Sequence, residues 1–443
     1  MRTLLVRGGT VLTMNATFDR VEGGVWIVDG RIEAVGPEAE RAATPGTPVL
    51  DAGNGWVLPG FVQTHVHLCQ TLFRGLADDL VLLDWLRTRV WPLEAAHTPE
   101  SLAAATHLAA AELLLSGTTS VLTMETVHDT DAVLEALART GLRATVGKCM
   151  MDADAQAPSR LREATSQAID ESLALHARWN GRADGRLRVA LAPRFAISCT
   201  RELLEAVAAE SAGRGLLVHT HASESRGEID EIRRQTGMTN VNYLASVGLA
   251  TPRLCAAHCV WVDEEEQAVI AERDVKVLHC PGSNLKLGSG LAPVAELRAR
   301  GVTVSLGADG AACNNRLDMF DEMRLAATLQ AVRLGPGHLP AREVVRMATG
   351  DGARTLGLER DVGSLEPGKR GDLVVVHRDR PHLLPVVDPY SAIVYSARGT
   401  DVRHVVVDGE VLVDNFALTR ADLSELSARA ARETTRLAAR AGL

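Results

Sequence analysis

The chain has 443 residues, 46% hydrophobic and 23% charged, with a formal net charge of −9 at pH 7. That length exceeds what one small core uses and suits a barrel of ordinary size with an appended domain. The acidic balance without a long basic block argues against a nucleic-acid partner, and no apolar run approaches the length of a membrane span.

The N-terminal stretch, Met1 to Thr10, is too short and too interrupted for a signal peptide. It reads instead as strand, leading through Leu4 to Gly9 into Thr10 to Met14. Val25 to Gly36 then carries Asp29-Gly30 as a hairpin signal. The far end echoes this: Gly371 to Val376, then Val405 to Val413 around Asp408-Gly409. Neither piece makes a comfortable core alone, so residues 1–57 and 361–420 are expected to pair into one small β-sandwich domain.

Strand and helix signals alternate over residues 58–360. The predicted strands are Phe61 to His67, Thr118 to Met124, Ala144 to Met150, Leu187 to Pro193, Leu216 to His221, Leu254 to His258, Val275 to Cys280 and Val302 to Asp309. Between them, stretches such as Ser101 to Ser116 and Arg201 to Arg214 repeat apolar positions every three or four residues, the helical period. Eight strands alternating with helices predict an α/β chain built on a (β/α)8 TIM-like barrel. A doubly wound open sheet would place a Gly-rich phosphate loop after its first strand, and none is present. The tail, residues 421–443, reads as one Ala-, Arg- and Leu-rich helix packed across the barrel or an oligomer contact. The seven cysteines are scattered with no Cys-x-x-Cys pair, which suits a reducing cytoplasm rather than a disulfide framework.

Barrel enzymes carry their chemistry at the C-terminal ends of the strands. The first predicted strand ends His65-Val66-His67, two imidazoles on one face, as a metal site needs. Later strands end in His219-Thr220-His221-Ala222-Ser223-Glu224, in His258, in His279 and in Asp309. One core histidine at a strand end is ordinary. Its repetition over several strand ends is not, because buried polar groups need partners. Glu224 is either a working carboxylate or a solvated charge beside Glu228, Asp230 and Glu231.

Pro59 to His67, His221 to Glu224, Ala257 to Cys259, His279 to Gly288, Gly307 to Gly310 and Gly363 to Leu373, taken in this order, resemble the amidohydrolase superfamily, in its deaminase and chlorohydrolase branch. The resemblance covers nearly the whole chain. It implies one Zn²⁺ per chain, with Fe²⁺ or Mn²⁺ also accommodated, held by His65, His67, His221 and Asp309. Three neutral imidazoles and a carboxylate are a donor set that suits zinc. The fourth strand has no lysine at its end, which favours one metal over two. His219 is read as packing or as support behind a ligand.

The implied reaction is attack by ion-activated water on a ring carbon that bears an amino group. Glu224 would shuttle protons to the ring and to the departing amine, and His258 would donate a hydrogen bond to the water or the tetrahedral centre. Asp309 would accept from the water as well as ligate. His279 is expected either at the rim of the substrate pocket or holding the next loop.

In adenosine-type members a glutamate at the position of Glu94 accepts from two ribose hydroxyls, a fitting role for an acceptor-only group. Without the resemblance, Glu94 is a favourable charge near a helix N-terminus. Trp85 and Trp91 would line the pocket or fix the long segment over the barrel mouth. Gln70 and Arg194 resemble the guanine-deaminase pattern and would face purine acceptors. Lys148 stands where homocysteine-binding members carry arginine, which favours a small 5′ substituent.

The implied function is hydrolytic deamination of an adenine nucleoside, with 5′-deoxyadenosine or 5′-methylthioadenosine ahead of S-adenosylhomocysteine or adenosine. The alternatives are a guanine, other purine or pterin deaminase, and an s-triazine amino- or chlorohydrolase. A small-molecule substrate is the only partner implied, beyond assembly as a dimer or tetramer, common among relatives.

Overall fold

The structure, a computed structural model, describes residues 2–153 and 156–443; Met1, which opens the N-terminal stretch, lies outside them. At its centre is a parallel barrel whose strands follow chain order around the ring. They are Phe61–His67, Thr118–Met124, Arg143–Met150, Leu187–Pro193, Val218–Ala222, Leu254–His258, Lys276–His279 and Val304–Leu306. The eighth breaks at Gly307-Ala308 and resumes as Asp309–Gly310, which pairs with Val66 and His67 and closes the ring.

Every residue of the first three barrel strands is buried. A strand covered on both faces reads as a continuous apolar run, and these do. The first strand holds a feature invisible in the sequence. Phe61 and Val66 pack in the main apolar layer, whereas Val62 belongs to a separate cluster with Leu122, Ala257 and Leu278. Phe61 and Val66 are five positions apart, which strict alternation would place on opposite faces. A register shift against the second strand between Gln63 and Val66 accounts for the change of phase. Gln63 anchors this stretch by donating to Leu317 O at 2.8 Å and Thr118 Oγ1 at 3.0 Å.

The helices between strands begin where side chains satisfy their free backbone N–H groups. Thr98 and Ser101 form a reciprocal capping box on Pro99–Leu115, and Thr200 caps Arg201–Arg214, which ends on a left-handed Gly215. Leu423–Ala441, capped by Asp422, packs against Pro99–Leu115 and buries Ala430 and Leu437.

The chain ends form a second, nine-stranded sheet. Trp56–Pro59 joins its two halves, running parallel to Thr3–Leu12 and antiparallel to Leu373–Val376. This strand leads through Gly60 directly into the barrel. Val6, Val25, Ile27, Val57, Leu373 and Val406 share one apolar core within the sheet. Both Asp-Gly turns are two-residue hairpins with positive φ at each position (46° and 80° at Asp29 and Gly30, 49° and 69° at Asp408 and Gly409). They also abut: a Cβ on Gly30 would stand 2.9 Å from Asp408 O.

Candidate active site

Four side chains from three strands meet at the C-terminal end of the barrel. His65 Nε2 and His67 Nε2 each lie 3.3 Å from Asp309 Oδ1, and His67 Nε2 lies 3.3 Å from His221 Nε2. Gly307 makes the approach possible. A Cβ there would sit 2.6 Å from His65 O and 2.7 Å from His65 N, so the eighth strand crosses the first without a side chain. Asp309 and His258 both hold the left-handed conformation (φ 64° and 72°), uncommon for residues with a Cβ and concentrated at working sites.

The opposite ring nitrogens fix the protonation. His67 Nδ1 lies 2.7 Å from Met124 O and His221 Nδ1 2.6 Å from Arg194 O. A carbonyl only accepts, so each Nδ1 carries a hydrogen and Nε2 is the nitrogen left to face the centre. Burial lowers the His67 imidazole, but the facing Asp309 outweighs it and raises His67 above its ordinary value. Two Nε2 atoms 3.3 Å apart repel unless a proton or a cation lies between them. A cation between them makes the same geometry favourable. His65 Nε2 is likewise buried with no hydrogen-bond partner, and its Nδ1 lies 2.7 Å from His219 Nε2, which places His219 behind the site. Burial pulls the His65 imidazole down to about 4 and His221 well below its ordinary range, so both rings are neutral, as metal ligation requires. Burial acts against ionisation of Asp309, but the facing His65 and His67 hold its carboxyl well below the usual range.

Glu224 is buried beside this cluster, with Oε2 3.5 Å from His258 Nε2. His258 Nε2 is also 3.8 Å from Asp309 Oδ2. Burial pushes the Glu224 carboxyl up to about 7; nearby Asp309 and Glu228 reinforce the shift and His258 opposes it. Its backbone N–H donates to Glu228 Oε2 at 2.7 Å, and Glu228 Oε1 accepts from Asn240 Nδ2 at 2.5 Å.

The cavity above has a largely apolar wall of Leu82, Trp85, Leu86, Phe195 and Leu287. Gln70, Arg194, Glu224 and Glu228 supply the polar groups beside the imidazoles and Asp309. Arg194 and Glu94, both buried, pair through two contacts: Nη1 to Oε2 at 2.5 Å and Nη2 to Oε1 at 3.2 Å. Gln70 Nε2 donates to Glu94 Oε1 at 3.0 Å.

Residues 56–412 match the model of the amidohydrolase family. The chain belongs to the amidohydrolase family. It is 44% identical to the 5′-deoxyadenosine deaminase of Methanothermobacter thermautotrophicus, over 93% of this chain and 95% of that one. It is 40% identical to a 5-methylthioadenosine/S-adenosylhomocysteine deaminase of Symbiobacterium thermophilum, over 99% of both. A crystal structure of an adenosine deaminase from Xanthomonas campestris with bound zinc superimposes with a TM-score of 0.92, at 33% identity and 98% coverage of both chains. This amidohydrolase therefore works with a metal cofactor. No helix among the described residues is long and apolar enough to cross a membrane.

Three residues expected from the sequence to meet substrate, Glu94, Lys148 and His279, are not among those lining this cavity; Glu94 reaches its edge through Gln70 and Arg194. Lys148 is not in the cavity wall: its Nζ lies 2.5 Å from Glu163 Oε1 and 3.6 Å from Glu171 Oε2, so its charge is neutralised away from the metal site. His279 is also off the wall. It is fully buried, held neutral at about 3 by burial, with both ring nitrogens unpartnered. Trp85 lines the cavity, whereas Trp91 is buried and not part of its wall. Glu125, buried one residue past the second strand, is not singled out by the strand-end histidines. Its carboxylate accepts from Leu68 N at 3.2 Å and Cys69 N at 3.0 Å, holding the turn that follows His67. A buried acid directly after an apolar strand was the available signal.

Proposed function

We propose that this chain binds one zinc ion through His65, His67, His221 and Asp309 and deaminates an adenine nucleoside to the inosine analogue, releasing ammonia. The observation that carries the metal half is the convergence of the His65, His67 and His221 Nε2 atoms and Asp309 Oδ1, with the Nδ1 hydrogens of His67 and His221 committed to carbonyls. A bound divalent cation supplies the Lewis acidity that makes water nucleophilic near neutral pH. Asp309 accepts the proton that the attacking water gives up. Glu224, raised to about 7, delivers its proton to the ring nitrogen beside the reacting carbon, takes the water proton held by Asp309 and passes it to the amine; as the C–N bond breaks and ammonia leaves, the remaining hydroxyl proton returns to Glu224. His258 Nε2 stands between Glu224 Oε2 and Asp309 Oδ2, on the path of the proton that passes from one carboxyl to the other.

The Arg194–Glu94 pair favours a nucleoside over a free purine. The Arg194 fork is turned onto Glu94 through Nη1 and Nη2, which leaves Nε as its nitrogen without a partner. Glu94, oriented by Arg194 and Gln70, has three of its roughly four acceptor sites taken and keeps one, on Oε2, for a ribose hydroxyl. The named relatives act on 5′-deoxyadenosine, 5-methylthioadenosine and S-adenosylhomocysteine. Ammonia release from 5′-deoxyadenosine, methylthioadenosine, S-adenosylhomocysteine, adenosine and guanine, with metal content measured alongside, tests the assignment. Glu94→Ala is expected to cost nucleoside turnover about a hundredfold or more in kcat/KM while changing free-base turnover little. Equal losses on both would remove Glu94 from ribose recognition.

A further inference from the structure

The segment after the seventh barrel strand, Pro281 to Gly290, stands out in the sequence and has no part in the chemistry so far. It carries two buried polar side chains, each facing one of the proton-handling groups. Asn284, 1% exposed, places Oδ1 2.9 Å from His258 Nδ1. Ser289, 4% exposed, places its hydroxyl 3.3 Å from Glu224 Oε1. The two are tied to each other, since Ser289 N donates to Asn284 O at 2.8 Å.

The segment is braced from outside the cavity. Gly282 N donates to Glu322 Oε2 at 3.0 Å, and Lys286 Nζ donates to Ala312 O at 3.1 Å. Trp261 Nε1 donates to Ser289 O at 2.6 Å, and the Arg226 guanidinium lies 4.1 Å over the Trp261 ring. A Cβ on Gly290, at φ 129°, would strike Trp261 at 2.8 Å, so the turn sits against the indole only as glycine.

We propose that Asn284 and Ser289 are positioning residues for the reaction: Asn284 sets the tautomer of His258, and Ser289 sets which oxygen of Glu224 faces the substrate. This rests on the reading of Glu224 and His258 as the proton-handling pair. An amide oxygen only accepts, so the hydrogen of His258 stays on Nδ1 and the Nε2 lone pair points at Glu224 Oε2 and Asp309 Oδ2. The Ser289 hydroxyl occupies Glu224 Oε1, leaving Oε2 as the oxygen that carries the mobile proton toward His258 and the cavity. One short, braced segment thereby orients both partners of the proton transfer, as supporting groups do for metal ligands and catalytic constellations.

The test uses the full metal-loaded chain and the adenine nucleoside it turns over best. Ser289→Ala and Asn284→Leu are compared with Ser289→Thr, which keeps the hydroxyl, and Asn284→Asp, which keeps an acceptor. The expected result is a fall in kcat of about tenfold to a hundredfold for Ala and Leu. KM should stay within about threefold and metal near one equivalent, because binding is untouched. Thr and Asp should recover most of the loss. Unchanged kcat in Ser289→Ala, losses confined to KM, or Thr and Asp as impaired as Ala and Leu would overturn the proposal. If Asn284→Leu does not fold, Asn284→Ala replaces it, and the Ser289 pair decides independently. Absence of nucleoside turnover by the unmodified chain overturns the functional reading itself, which separates the two failures.

Discussion

The position of single hydrogens does more to define this site than its residue types do. His67 and His221 are ordinary buried imidazoles until Met124 O and Arg194 O are seen to hold their Nδ1 hydrogens, after which both Nε2 atoms are free to take one cation between them. Glu224 differs in kind. It is buried, lies outside the set of four ligands, and ionises near neutrality. Glu224→Gln preserves shape and hydrogen-bonding capacity but cannot carry a proton. It is therefore expected to lower kcat by at least about a hundredfold, while elemental analysis still finds about one metal per chain. Retained turnover would take Glu224 out of the mechanism. Loss of the metal together with activity would instead make it a structural support of the ligand cluster.

The elements explain why so much was legible in the sequence. Each barrel strand is short, bounded by helix caps and buried along most of its length, so the apolar runs of the sequence coincide with the strands. The strand-end histidines stand out against those runs. What could not be read is whatever depends on two strands meeting. The phase change between Gln63 and Val66 exists only as a register shift against the second strand. The neutralisation of Lys148 by Glu163 and the turning of Arg194 onto Glu94 depend on where separate loops come to rest. Gly307 belongs with these: the sequence shows a glycine two residues before a ligand, and only the closed ring shows the His65 backbone against it. Gly307→Ala forces a Cβ to within 2.7 Å of that backbone. It is expected to destabilise the chain by about 1–3 kcal/mol and, by pushing the first and eighth strands apart, to weaken metal binding beyond its effect on folding. Thermal melts with and without a chelator would reveal this: the gap between loaded and stripped protein should shrink in the variant.

On the scale of the whole molecule, the barrel and the terminal sheet are joined at the end of the strands remote from the chemistry. Arg143 is the first residue of the third barrel strand and is 4% exposed. It donates to Asp372 Oδ2 at 3.0 Å and Oδ1 at 3.1 Å, and to Asp408 Oδ1 at 2.8 Å in the second Asp-Gly turn. Asp408 N in turn donates to Asp372 Oδ1 at 2.8 Å. One guanidinium thus binds the barrel to two strands contributed by the far end of the chain, in a region closed to water. Arg186 and Arg370 also face Asp408, so Arg143→Ala leaves chiefly the buried Asp372 charge uncompensated and is expected to cost about 3–5 kcal/mol. The double variant Arg143→Ala with Asp372→Ala should be less unstable than the sum of the singles, because it removes part of the stranded charge as well. In a chain of two packed units the quantity to follow is the first thermal transition, which should fall for the single variant. Meanwhile kcat at a temperature below that transition should stay near the unmodified value, since the ligands sit at the opposite ends of the strands. A fall in kcat at such a temperature, with the fold intact, would mean that the terminal sheet sets the geometry of the barrel mouth as well as the stability of its base.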